Sequence, residues 1–182
     1  MKNKLGILRQ SELDDAETLL FSDAYTYFFD VFSRDEIVFD LALLFHIHHY
    51  FLSPLYSWAG KVWTVDISKD GMLFASVLYI EEALKDFQKI LDVYFSNTDR
   101  TKKYTSHALA VIHCELNAIH PFREGNGRTI RLFLDLLATR AGYGLIDWSV
   151  RSQEEYIHAC VDGMAKEYSR MQKIIFAGLR VL

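Results

Sequence analysis

Two cysteines and two prolines are all that the 182 residues contain, and each scarcity removes a class of explanation. Cys114 and Cys160 have no CxxC or Cys/His spacing around them, so neither a disulfide framework nor a structural zinc site is suggested; both are expected as reduced core thiols. With proline confined to Pro54 and Pro121, long stretches offer a helix no breaker. No segment approaches the roughly 18 to 20 uncharged residues that a bilayer span needs, and the opening MKNKLGILRQ has no apolar stretch of signal-peptide length. A cytoplasmic protein without a membrane partner is expected. Nor is there a long basic run: 20 Lys and Arg stand against 24 Asp and Glu, a formal charge of -4 that gives no electrostatic footprint for nucleic acid.

What is present is apolar and helical in period. At 51% hydrophobic, the chain can bury one sizeable core, and residues 1–182 read as a single domain. Apolar spacing predicts helices at about 11–29, 36–51, 78–95, 101–119, 127–142, 152–164 and 166–180, a mostly α protein. Leu109, Ile112, Leu116 and Ile119 make one stripe at steps of three and four. The helix from about 127 is apolar nearly all round once Arg131 is set aside, which places it at the centre of a bundle. Residues 60–75, GKVWTVDISKDGMLFA, break the pattern: Lys61, Trp63, Val65 and Ile67 alternate with Val62, Thr64, Asp66 and Ser68, and Lys-Asp-Gly follows as a turn signal. A β-hairpin standing off the helical body is expected there.

Chemistry concentrates in residues 120–131, HPFREGNGRTIR. Gly125, Asn126 and Gly127 directly precede the apolar helix, so the free N–H groups of its first turn and the loop amides can point at one place. A helix N-terminus favours an anion, and glycine lets a phosphate approach the backbone with no Cβ in the way. Arg128 and Arg131, three apart, offer forked donors suited to phosphate oxygens on neighbouring faces, more than one phosphate needs. Glu124 among these donors makes sense if Mg²⁺ lies between carboxylate and phosphates. A histidine's ordinary pKa of about 6.5 leaves His120 able to take a proton from an attacking hydroxyl. Singly these parts are ordinary: a histidine that caps a helix, a solvated glutamate, a glycine loop, a surface arginine pair. That pair is disfavoured by the helix dipole and so asks for a compensating anion. Base, metal ligand, phosphate cradle and charge clamp in this order suit phosphoryl or nucleotidyl transfer.

The twelve residues resemble the signature of the Fic family, His-x-Phe-x-[Asp/Glu]-Gly-Asn-Gly-Arg-x-x-Arg, at every defined position. NKLGI near the start, YSWAGKVWTVDISKDGMLF before the motif, and RAGYGLIDWS and EEYIHA after it extend the resemblance over nearly the whole chain. The resemblance implies an all-α bundle around a central buried helix with one β-hairpin flap. It implies a protein adenylyltransferase, which attaches AMP from ATP to a hydroxyl side chain of a target protein and releases diphosphate. By position, His120 would be the base, Phe122 the loop's core anchor and Glu124 the Mg²⁺ ligand. Gly125, Asn126 and Gly127 would hold phosphates, with Arg128 and Arg131 at the β and γ ends. The flap would dock the target as an added strand, with Ile67, Ser68, Lys69, Asp70 and Phe74 at its working tip. Where the family often has a proline after the hairpin, this chain has Ser76 and Val77. The inhibitory pattern [Ser/Thr]-x-x-x-Glu-[Gly/Asn] of many members has no match; Gly163 to Glu167 comes nearest, without the hydroxyl residue and followed by Tyr168. A toxin-type protein controlled by a separate antitoxin is therefore expected.

Other polar residues carry weaker signals. His46, His48 and His49 are spaced by two and one, which does not put three imidazoles on one helical face; packing or surface exposure is the simpler reading. His113 and His158 have no ligand-spaced companions, and Trp58, Trp63 and Trp148 read as packing residues. Tyr156 is a candidate adenine contact, and Asn117, one turn before His120, a candidate pocket residue. Two alternatives stand beside nucleotidyl transfer. A kinase-like relative of the family usually has Lys where this chain has Gly127, and a silent binding module would have no use for an intact base, metal ligand and arginine pair.

Overall fold

Ile130 and the run Leu132 to Ala138 are buried throughout, and a helix enclosed on all sides must sit inside others. The computed structural model, which describes residues 2–64, 68–69, 72–73 and 76–182, builds the fold around it. Seven helices are described: α1 Gln10–Ser33, α2 Leu41–Leu52, α3 Ile80–Ser96, α4 Lys102–Ile119, α5 Asn126–Arg140, α6 Gln153–Met164 and α7 Ser169–Gly178, with a short 3-10 turn at Trp148–Val150. α5 packs against α1, α2 and α4, and α4 in turn carries α3, α6 and α7. Leu109, Ile112 and Leu116 are wholly buried and Ile119 nearly so, as the stripe predicts. The one carboxylate inside α5, Asp135, accepts hydrogen bonds from the Tyr25 hydroxyl (2.6 Å) and the Ile146 N–H (2.8 Å), which satisfies it within the core.

Helix ends follow local chemistry more than apolar period. The expected start of α2 at 36 moves to Leu41, because the Asp40 carboxylate accepts from the Leu43 N–H and caps the helix there. α6 begins on a capping box between Ser152 and Glu155. Between α6 and α7, Lys166 takes a positive φ of 63° while its N–H and that of Glu167 close on Gly163 and Asp162, so α7 starts at Ser169 instead of 166. α1 runs on to Ser33, beyond the expected 29.

Between α2 and α3 the chain pairs with itself over two residues a side, β1 Ser68–Lys69 and β2 Met72–Leu73, antiparallel, with Ser68 opposite Leu73 and Lys69 opposite Met72. No larger strand element is present among the described residues, and the helices carry the fold. Residues 61–64, expected in the first strand, run as irregular chain. Trp63 there gives its backbone N–H to Pro121 O (3.3 Å) and its indole N–H to His120 O (2.5 Å), hydrogen bonds that bind it to the motif loop. The remainder of the expected 60–75 hairpin, including Ile67, Asp70 and Phe74, lies outside the described residues.

Candidate functional site

The motif begins where α4 ends. His120 is the C-cap of α4 in left-handed backbone conformation (φ 50°, ψ 58°), its N–H closing on Leu116 O at 2.9 Å. That conformation is uncommon for a residue with a Cβ and turns the chain sharply out of the helix. The side chain is half-buried. Pro121 and Phe122 follow, both buried, and the Phe122 ring seals the loop against α2.

From there the loop is held on three sides. Trp63 grips the carbonyls of His120 and Pro121, as described. The Asn126 amide closes the next part: its Oδ1 accepts from the Phe122 N–H (2.9 Å) and its Nδ2 donates to Phe122 O (2.5 Å). On α2, His48 Nε2 lies 2.8 Å from Glu124 O and its Nδ1 accepts from the Gly60 N–H at 2.8 Å. His48 is wholly buried, which pushes its pKa down to about 4. Gly125 then enters α5 at φ 86°, a left-handed conformation that favours glycine, and a Cβ on it would also have to displace the Leu52 Cδ1 methyl, 2.7 Å away. A Cβ on Gly127, by contrast, would meet nothing within 4 Å, and that residue is exposed.

The two arginines do not meet on one partner. Arg128 Nη2 pairs with Glu17 Oε2 of α1 at 2.5 Å and its guanidinium lies 5.3 Å from the Phe51 ring centre. Glu17 also accepts from the Tyr56 hydroxyl. The compensating anion that an arginine at this helix end asks for is thus, for Arg128, partly internal. Arg131 turns instead to Trp148 and Tyr156, 5.6 and 5.2 Å from their ring centres. Tyr156, expected from sequence as an adenine contact, lies instead in this corner with Arg131, reaching it from α6 with its hydroxyl 2.8 Å from His113 Nε2. Arg131 Nε and Trp148 Nε1 are buried nitrogens without a hydrogen-bond partner among the described residues, donors that call for an acceptor.

Asn117 is half-buried on α4, one turn before His120, and Glu124 is exposed. No cluster of three or more His, Cys, Asp or Glu side chains suited to a metal occurs among the described residues. A single exposed carboxylate beside backbone donors fits a cation that takes its other ligands from phosphate and water, as Mg²⁺ does. Sequence reasoning missed Glu17, His48 and Gly60 as parts of the site. The FHIHHY run did contain His48, but its partners are backbone groups 12 and 76 residues away, which no local spacing reveals.

A helical bundle whose central helix is entered through a pinned, glycine-bent loop behind a left-handed histidine defines a recognisable class. Residues 38–138 match the Fic/DOC family, and the chain belongs to that family. It is 35% identical over 179 residues to the protein adenylyltransferase VbhT of Bartonella schoenbuchensis, aligning over 96% of this chain and 36% of that protein's length. It is 32% identical over 165 residues to "Probable protein adenylyltransferase y4lH" of Sinorhizobium fredii, aligning over 88% of this chain and 81% of that one. The fold is similar to that of the Bartonella tribocorum BepC protein, solved with bound AMPPNP: TM-score 0.84 at 23% identity, over 100% of this chain and 93% of that one.

Proposed function

We propose that the chain is a protein adenylyltransferase that uses ATP to place AMP on a hydroxyl side chain of another protein. The observation that carries this is the loop from His120 to Asn126: a histidine at the end of α4 and the open amides at the start of α5, held beside one another by Trp63, His48 and Asn126. The sequence relatives named as protein adenylyltransferases support the same reading.

In this reading His120 accepts the proton of the target hydroxyl. The freed oxygen attacks the α-phosphorus, the bond from that phosphorus to the bridging oxygen breaks, and diphosphate leaves with the charge that the site must neutralise. The backbone N–H groups from Gly125 to Arg128 face the phosphates, while the Asn126 side chain acts by holding the loop. Arg131 would supply donors at the γ end of the triphosphate, its guanidinium backed by the Trp148 and Tyr156 rings. Arg128, kept in place by Glu17, offers its remaining N–H groups to the phosphates beside them. Glu124 would hold Mg²⁺, which supplies charge neutralisation to the phosphate oxygens when bound. Asn117 lines the nucleotide pocket, and Tyr156 acts through the Arg131 guanidinium that lies over its ring. The pair of strands at 68–73, with Ile67, Ser68, Lys69, Asp70 and Phe74 as its contact set, registers the target as an added strand through backbone hydrogen bonds. Control is assigned to a separate antitoxin-like protein.

ATP labelled at the α position should transfer its label to protein in a host lysate with added Mg²⁺, and ATP labelled at the γ position should not. His120→Ala should lower the transfer by about 10² to 10⁴, the range of a lost general base. Transfer of the γ label instead would identify a kinase and sink the nucleotidyl reading.

A further inference from the structure

His48 touches no reacting atom in the scheme above, yet its surroundings are more specific than packing requires. The imidazole lies flat on Phe122, ring centres 3.8 Å apart and planes 8° apart, wholly buried. Its two nitrogens face backbone groups of opposite type. The Glu124 carbonyl can only accept, so Nε2 at 2.8 Å carries the proton; the Gly60 N–H can only donate, so Nδ1 at 2.8 Å is bare. One neutral tautomer satisfies both, and neither the other tautomer nor the imidazolium does.

The consequence falls on the peptide between Glu124 and Gly125. It is trans, so its C=O and N–H point in opposite directions. With the carbonyl drawn inward to His48, the Gly125 N–H is turned to the outer side of the loop. It then stands beside the first-turn amides of α5, which have no acceptor within their own helix. A peptide next to glycine rotates more readily than others, because glycine admits both signs of φ. A side chain at this position would meet Leu52 Cδ1 at 2.7 Å, so the loop keeps a glycine and with it this freedom. The His48 hydrogen bond therefore selects which end of a rotatable peptide faces the site.

We propose that His48 is a positioning residue for nucleotide binding: it sets the Glu124–Gly125 peptide so that the Gly125 amide joins those of α5 in facing a phosphate. Through Gly60 it also ties that setting to the segment leading toward the strand pair. This rests on the nucleotide reading of the site given above, which wild-type binding tests independently.

Asparagine and glutamine each retain half of the imidazole. In His48→Gln an amide N–H stands near the place of Nε2 and keeps the bond to Glu124 while Gly60 loses its acceptor. In His48→Asn an amide oxygen stands near the place of Nδ1 and keeps Gly60 while Glu124 is released. The dissociation constant of ADP with Mg²⁺ is measured by calorimetry for the full chain and both variants, with Tm alongside. His48→Asn should weaken binding about tenfold or more, the scale of one hydrogen bond to a charged group, while His48→Gln stays within about threefold at a comparable loss of Tm. Affinities that fall equally in both, or His48→Asn binding as wild type does, would overturn the proposal by leaving His48 a packing role only. A readout in the wild-type chain does not depend on either variant folding: the Gly125 amide proton should move downfield on ADP addition by more than amides away from the loop, and an unmoved Gly125 resonance in a nucleotide-bound chain refutes the assignment. Folded wild-type protein that binds neither ADP nor ATP with Mg²⁺ removes the nucleotide reading and this proposal together.

Discussion

At the scale of single residues, the corner around Arg131 is unusual for what it keeps uncharged. His113 is buried on α4 with Arg131 near it, and burial first and the guanidinium second push its pKa down to about 3. Its hydrogen-bond partner is the Tyr156 hydroxyl, whose own pKa is raised by burial, so the pair stays neutral beside a fixed positive charge. A neutral His113 spares Arg131 the repulsion of a second buried cation. The folded pKa lies below the unfolded value, so between about pH 6.5 and 3 the unfolded chain binds a proton that the native chain refuses. Stability contributed by the neutral histidine is therefore present above pH 6.5 and is lost as pH falls, at about 1.4 kcal/mol per pH unit. Urea midpoints measured from pH 6.5 to 5 should fall in wild type by more than this slope, because His48 is held neutral by burial over the same range, and His113→Phe should shed one proton's worth of the total. An identical slope in the variant would mean that His113 is not held neutral.

At the scale of elements, close approach of helices is what the composition alone does not show. Gly163 of α6 lies so near α4 that a Cβ there would come 2.4 Å from Cys114 Sγ. Gly163→Ala should cost about 1 to 3 kcal/mol by overpacking, read as a fall in Tm. The double change with Cys114→Ala should recover part of that, because it empties the volume the new methyl needs; full additivity of the two single losses would refute the contact. Cys114 was legible as a core thiol, and the helices were legible from their apolar period, because burial on one face leaves a repeat of about 3.6 residues in the chain. The strand pair was legible only in part: alternation in residues 61–67 suggested a strand, whereas Trp63 is bound to the motif loop. Helix starts followed capping side chains such as Asp40, a signal present in the sequence but outweighed there by the apolar run.

At the scale of the whole molecule, the motif was readable because its residues are adjacent in sequence, while the residues that hold it are scattered. Glu17 on α1, His48 on α2, Gly60, Trp63, Trp148 and Tyr156 converge on residues 120–131 only once the bundle is packed. Site and fold should therefore be linked thermodynamically, and two substitutions separate the linkage from mere stability. ATP at about 100 times its Kd should add about 2.7 kcal/mol to unfolding, roughly 5 to 10 °C in Tm for a chain of this size. Leu136→Ala, which empties a wholly buried position on α5, should cost about 2 to 5 kcal/mol but leave that increment unchanged, since a cavity in the core alters no donor in the loop. Glu17→Ala should shrink the increment, because Arg128 loses the carboxylate that holds it and must be ordered by the nucleotide at an entropic cost. The measurement is the ligand-induced shift of each variant, converted at its own Tm. If Glu17→Ala keeps the full increment, α1 stabilises the bundle without shaping the phosphate site.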